Sequence, residues 1–181
     1  MSEMGTAIMD AAERRMRRGG FSGFSFRELA EDVGIKSASV HYHFPTKETL
    51  AAAVIRRYRE RVAELIERRL RHDSNSIRVW VRAFRGTLRS EDQMCPATVL
   101  AASSLDLPAE LNTEVGLFFN MCIDKLIESG SSKDEASHVI ATITGALVLA
   151  NSMQDHAVYD HATKDLITPP VPSKKARRPS A

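Results

Sequence analysis

The side chains able to do covalent or metal chemistry are few and dispersed. The six histidines stand at positions 41, 43, 72, 138, 156 and 161, and the two cysteines at 95 and 122. No nucleophile–base pair, paired carboxylates, glycine-rich phosphate loop or metal-ligand cluster occurs at a recognised spacing. His41 and His43 are two residues apart on an expected helix and therefore point to different sides, which argues against a shared metal. The chain reads as a non-enzyme with no metal and no cofactor. The chemistry its spacing does support is recognition. Ser25 to Lys47, SFRELAEDVGIKSASVHYHFPTK, has the form of two short helices joined by a tight turn. That is the helix-turn-helix pattern, whose second helix lies in the major groove of DNA.

The elements that must hold this stretch can be read around it. Ser25 is placed to cap a helix whose apolar face is Phe26, Leu29, Ala30 and Val33, at i, i+3, i+4 and i+7. Gly34 suits the left-handed residue that ends it. Ser37 offers a second cap, with Ala38 to Phe44 making about two turns. Upstream, Thr6 to Arg18 reads as a first helix stopped by Gly19-Gly20, and Phe21, Phe24 and Phe26 plug a small three-helix core. Downstream, Pro45 marks a break and Thr46 caps a long helix running to about His72. Its buried stripe is Leu50, Val54, Tyr58, Val62, Leu65, Ile66 and Leu70. Its many arginines, mixed with Glu60, Glu64 and Glu67, read as a solvated face with ion pairs inside the helix.

Beyond the polar break HDSNS at 72–76, helices are expected at about Ile77–Arg89, Cys95–Leu105, Pro108–Ser129, Lys133–Gln154 and His156–Ile167. Ser132 and Glu135 have capping-box spacing. The helix from Lys133 combines a wide apolar stripe with Thr142, Thr144 and Gly145, a composition suited to close helix–helix packing. From Thr168 the Pro/Ser/Lys/Arg-rich tail lacks apolar periodicity and reads as disordered. Its four cations and absence of acids serve solubility or touch DNA electrostatically.

Composition sets the class. The 181 residues are 43% hydrophobic and 27% charged, aromatics are 6%, and alternating β-branched runs are nearly absent. The fold expected is all-α, with an N-terminal helix-turn-helix domain over 1–50 and a larger helical domain over 51–167. The longest apolar stretch, about Val139 to Ala150, is too short to span a bilayer. The N-terminus has acids and no apolar core of a signal peptide, and two unpatterned cysteines fit a reducing cytoplasm. The net charge of +2 gives no argument for nucleic acid, so any basic footprint must be local.

The stretch FSFRELAEDVGIKSASVHYHFPTKETL, running into a long helix, resembles the tetracycline-repressor (TetR/AcrR) family of one-component regulators. The likeness is specific over about Thr6 to Ile55; the later helices match only in number and length. It implies a homodimer that binds palindromic operator DNA and answers to a small-molecule effector, paired through the last two helices at about 133–167. It also implies that the recognition helix is Ser37 to His43. Lys36, Ser37, Ala38 and Ser39 would lie at its leading end, with His41, Tyr42 and His43 toward its trailing end. Short side chains approach base edges closely, and Ala38 can meet a thymine methyl. Ser25, Arg27, Tyr42 and Lys47 are the expected phosphate contacts. His41 departs from the tyrosine usual in the family. The other function classes weighed are a helical protein-interaction module and a small all-α enzyme.

A second resemblance lies in QMCPATVLAASSLDLPAELNTEVGLFF, which is similar to repressors responding to N-ethylmaleimide or acrylate. There a cysteine opening the sixth helix senses electrophiles, and Cys95 holds that place. A thiol at a helix N-terminus is favoured as thiolate, while a free cysteine also packs as a small buried hydrophobe. Both readings stand. Cys122 reads as core. Effector-binding candidates among the middle helices are Trp80, Phe84, Leu88, Met94, Cys95, Phe118, Phe119, Met121 and Thr144, with simple core packing as the alternative for each. The scarcity of charge in these stretches suggests a neutral, weakly polar effector.

Overall fold

The computed structural model of the chain describes residues 2–89 and 94–168; the expected basic tail lies outside these beyond Thr168. Among the described residues there are nine α-helices and no strand. They are α1 (Glu3–Gly19), α2 (Phe26–Val33), α3 (Ser37–His43), α4 (Lys47–Leu70), α5 (Ser76–Arg85), α6 (Pro96–Ala101), α7 (Ala109–Glu128), α8 (Lys133–Ser152) and α9 (His156–Ile167). None is long and apolar enough to cross a membrane.

The expected boundaries hold where a cap defines them. Ser25 Oγ accepts from the Glu28 amide, and Gly34 ends α2 at φ 74°. Thr46 and Thr49 cap α4 reciprocally, each hydroxyl accepting from the other's amide. Ser132 Oγ accepts from the Glu135 amide at 3.1 Å. Elsewhere the structure differs. Ser37 is the first residue of α3 and not its cap; Lys36 holds the cap position without a side-chain bond. Helix α1 starts earlier than Thr6 because Ser2 caps it through the Gly5 amide. Helix α5 stops at Arg85, and Gly86–Arg89 tightens into a 3-10 turn, as a mid-helix glycine favours. Helix α6 ends at Ala101, and a 3-10 turn over Ser104–Asp106 replaces its expected last turn.

The small N-terminal core gathers Ile8, Met16, Phe24, Leu29, Val40 and Leu50, each at most 2% exposed. Helix α4 leaves this core and lies against α1, α5 and α7. There Tyr58 stacks on Phe118 of α7, with centroids 5.4 Å apart. Helices α8 and α9 pack together and close the body over α5 and α7. The Tyr159 hydroxyl donates to the Val81 carbonyl at 2.8 Å, and Arg85 grips Asp160 at 2.6 and 2.9 Å, so α9 is fastened to α5.

The arginines of α4 are the main correction to the sequence reading. They do not chiefly pair within their own helix. Arg57 and Arg61 reach the buried Glu13 of α1, at 3.2 and 2.7 Å. Arg56 and Arg59 reach the buried Glu114 of α7, both at 2.8 Å. Only Arg68–Glu64, at 3.9 Å, is an ion pair internal to α4 among the described residues. Alternating charge is legible in a sequence, but which helix lies opposite is not.

Candidate functional site

The surface with the composition of a recognition element is the outer face of α3. Val40 is wholly buried and seats the helix on the small core. Lys36, Ala38, His41 and Tyr42 are exposed, and Ser37, Ser39 and His43 are half-buried. Ala38, His41 and Tyr42 stand at i, i+3 and i+4, one continuous stripe opposite Val40. Tyr42 is 86% exposed, a large aromatic held out in solvent. Two contacts brace this face: the His41 ring meets the edge of Phe26 at 4.7 Å, and Tyr42 meets His43 at 5.3 Å.

The flanking candidates are less free. Ser25 accepts from the Glu28 amide and donates to the Glu28 carboxylate at 2.8 Å, so its hydroxyl already closes α2. Arg27 pairs with Glu31 at 3.2 Å on an open surface. An exposed pair of that kind is worth well under ~1 kcal/mol, so Arg27 can change partners cheaply. Lys47 carries its ammonium over both Phe21 and Phe24, 4.6 Å from each ring centre. Partial burial holds its pKa below the ordinary lysine value. This lysine ties the loop after α1 to the start of α4, a link that the phenylalanine cluster and the α4 cap did not reveal in the sequence.

Behind this face, the end of α1 meets α6. Arg17 pairs with Glu13 at 2.8 Å, covers the Tyr58 ring and donates to the Met94 carbonyl. Burial would raise the Glu13 pKa, but the hydrogen bonds and charges of Arg17 and Arg61 outweigh it and leave the carboxyl below its usual 4.5. Cys95 is wholly buried at the cap position of α6 and makes no capping hydrogen bond. Burial and the neighbouring Cys95 thiol push the Tyr58 hydroxyl up, and burial and Cys95 do the same to Cys122. Cys95 and Cys122 both lie wholly buried in the same hydrophobic core.

The remaining effector candidates are scattered through the core. Trp80, Leu88 and Phe118 are at most 1% exposed, and Met94 is 9% exposed. Phe119, Met121 and Thr144 are half-buried. Two clefts open beside α4 and α5. One, of about 370 Å³, is lined by Arg17, Tyr58, Val62, Ala83 and Phe84 among others. The other, of about 790 Å³, is walled by arginines. Of the nine candidates only Phe84 lines either cleft. The neutral surroundings expected for an effector are not what these clefts offer, because arginines flanking the apolar stripes turn into them.

Residues 8–54 match the family described as bacterial regulatory proteins, tetR family. No curated protein matches the sequence. Among solved structures the chain is similar to a TetR-family transcriptional regulator from Agrobacterium tumefaciens. The two are 24% identical, with 90% of this chain and 95% of that chain covered and a TM-score of 0.84. A TetR transcriptional regulator from Legionella pneumophila is 26% identical, over 91% of this chain and 95% of its own, with a TM-score of 0.82. The reduced form of NemR from E. coli shares the fold at 15% identity and a TM-score of 0.80, covering 91% of this chain and 96% of that one.

Proposed function

We propose, from the match of residues 8–54 to the tetR family and the likeness to TetR regulator structures, that this chain is a DNA-binding transcriptional regulator of that family, a homodimeric repressor released from a palindromic operator by a small molecule or by thiol modification. In this reading α3 enters the major groove. Lys36, Ser37, Ala38, Ser39, His41, Tyr42 and His43 meet base edges and phosphates, and Arg27 meets the backbone. Ser25 and Lys47 contribute through the ends of α2 and α4, whose first amides favour phosphate.

The observation that carries the proposal is the way α4 is held. Glu13 ties it to α1, one wall of the DNA-reading core, and Glu114 ties it to α7 in the larger body. Both carboxylates are buried, at 7% and 6% exposure, so each clamp resists sliding. A ligand that displaces α6 or α7 must carry α4 or α1 with it and change the separation of two recognition helices. Cys95 lies at the same junction. A covalent adduct there has no free volume to occupy, so it drives α6 away from α1 once local opening admits the reagent.

The second copy is argued from α8. Its inner stripe is buried, yet Ala141, Gly145, Val148, Leu149 and Met153 form an exposed stripe on its opposite face. A helix that is apolar all round belongs in an interior. A matching α8 supplies one, with α9 beside it.

Retention of duplex fragments from the DNA flanking its own coding sequence tests the proposal. The wild-type protein retains a specific fragment, and Ser39→Ala combined with Tyr42→Ala loses it while helicity is unchanged. N-ethylmaleimide releases the wild type and leaves Cys95→Ser bound. Undiminished retention by the α3 double variant would favour a helical interaction module that does not read DNA through α3.

A further inference from the structure

Arginine is concentrated in one place far beyond what the chain's net charge of +2 predicts. The 790 Å³ cleft between the end of α4 and the face of α5 is walled by Arg68, Arg69, Arg71, Arg82, Arg85 and Arg89, with Asp73 as the one acidic lining residue among the described residues. On α5 and the turn after it, Arg82, Arg85 and Arg89 recur at i, i+3 and i+7, a single stripe facing the arginines of α4. Part of this charge is loosely held: Arg68 meets Glu64 only at 3.9 Å. Arg82 approaches Asp73 only at 3.7 Å, with 68% of its side chain exposed. Arg85 gives two nitrogens to Asp160, and its third, Nη1, is buried with no hydrogen-bond partner among the described residues.

Like charges crowded into a concave surface repel one another, and an anion relieves that cost. Guanidinium forks match phosphate oxygens two at a time, so several facing arginines suit a phosphate-bearing group better than a single carboxylate. The volume is that of a small-molecule site and not of a surface dimple. The cleft also continues. It shares Leu65, Arg69 and Gly86 with the 370 Å³ cavity, whose further walls include Tyr58, Val62, Ala83 and Phe84.

We infer that this joined cleft is the effector site, and that it takes a phosphate-bearing small molecule with an apolar arm. The phosphates lie among the arginines of α4 and α5, and the arm runs toward Tyr58 and Phe84. Tyr58 stacks on Phe118 of α7 and lies under Arg17 of α1, so the arm arrives at the junction through which DNA affinity is set. This rests on the repressor reading for its consequence, but its binding step stands apart from DNA.

Titration calorimetry of the full chain at about 150 mM salt, where loose surface attraction is screened, tests it with four probes: coenzyme A, octanoyl-coenzyme A, inorganic pyrophosphate and octanoate. Octanoyl-coenzyme A should bind tightest, coenzyme A and pyrophosphate more weakly, and octanoate hardly at all. Arg82→Gln combined with Arg89→Gln should weaken coenzyme A by at least about tenfold, because each lost bond is charge-assisted. Both side chains are exposed, so this variant keeps the wild-type melting temperature and DNA retention. No saturable binding of either coenzyme A probe, or equal affinity in the double variant, overturns the inference even if the protein binds DNA. Saturable binding by a protein that retains no DNA would sustain the site and defeat the repressor reading alone.

Discussion

Glu13 concentrates the energetics of the N-terminal junction in one carboxylate. It is 7% exposed and meets Arg17, Arg57 and Arg61. Its pKa in the fold lies below the ordinary 4.5, because the arginines outweigh the opposing effect of burial. The contribution to stability is therefore full above about pH 4.5, the unfolded value, and is lost as pH falls through the folded value. Glu13→Gln should lower stability by about 2 kcal/mol at neutral pH, since it takes the buried anion away from the half-buried Arg17 and Arg57. It should also flatten the loss of stability on acidification below pH 4.5. Urea midpoints taken from neutral pH down to pH 3 check both, and an acid limb as steep as the wild type's would contradict this role. None of this was legible in the sequence. Glu13 sits among arginines on its own helix, and only the packing shows that two of its three partners come from α4. Lys47 is a similar case: its charge is visible in the sequence, its seat over Phe21 and Phe24 is not.

At the scale of elements, the helix-turn-helix was the most readable part of the chain because each of its ends has a local chemical cause. Ser25 and Thr46 are caps that need no tertiary partner, and Gly34 supplies the φ of 74° that the turn between α2 and α3 requires. A Cβ at Gly34 meets nothing within 4 Å, so substitution there costs backbone strain alone. Gly34→Ala should destabilise the protein by about 1 kcal/mol, and Gly34→Asn by less, as thermal melts would show. Equal melting temperatures for wild type and Gly34→Ala would mean that the turn relaxes freely. Helix α6 was misread in length for the opposite reason. Its short span, Pro96–Ala101, is fixed by packing on α1 and α7, and the polar Ser103-Ser104 that follows settles into a 3-10 turn. The placement of the effector candidates has the same cause. Aromatic and methionine residues identify an interior, and most of those chosen fill it, whereas the clefts are edged by arginines that the periodicity had assigned to solvent.

For the whole molecule, α4 is the member that makes one device out of two cores. It starts at the cap beside α3, is clamped to α1 and α7, and ends at the arginine cleft. The repressor proposed above needs two copies, and the exposed stripe on α8 gives the place to separate them. Leu149→Glu with Met153→Glu, at 52% and 63% exposure, should yield a folded monomer in sedimentation with much weakened DNA retention. A dimer of wild-type affinity would place the interface elsewhere. The central claim is that paired α3 helices read a symmetric DNA site. Its most direct test is selection of binding sites by the purified protein from a random duplex library. The account predicts enrichment of an inverted repeat whose half-sites are spaced by about 10.5 base pairs or a multiple of it, with enrichment lost for Tyr42→Ala. Recovery of no motif above the starting library, or of the same motif by the Tyr42→Ala protein, would contradict it.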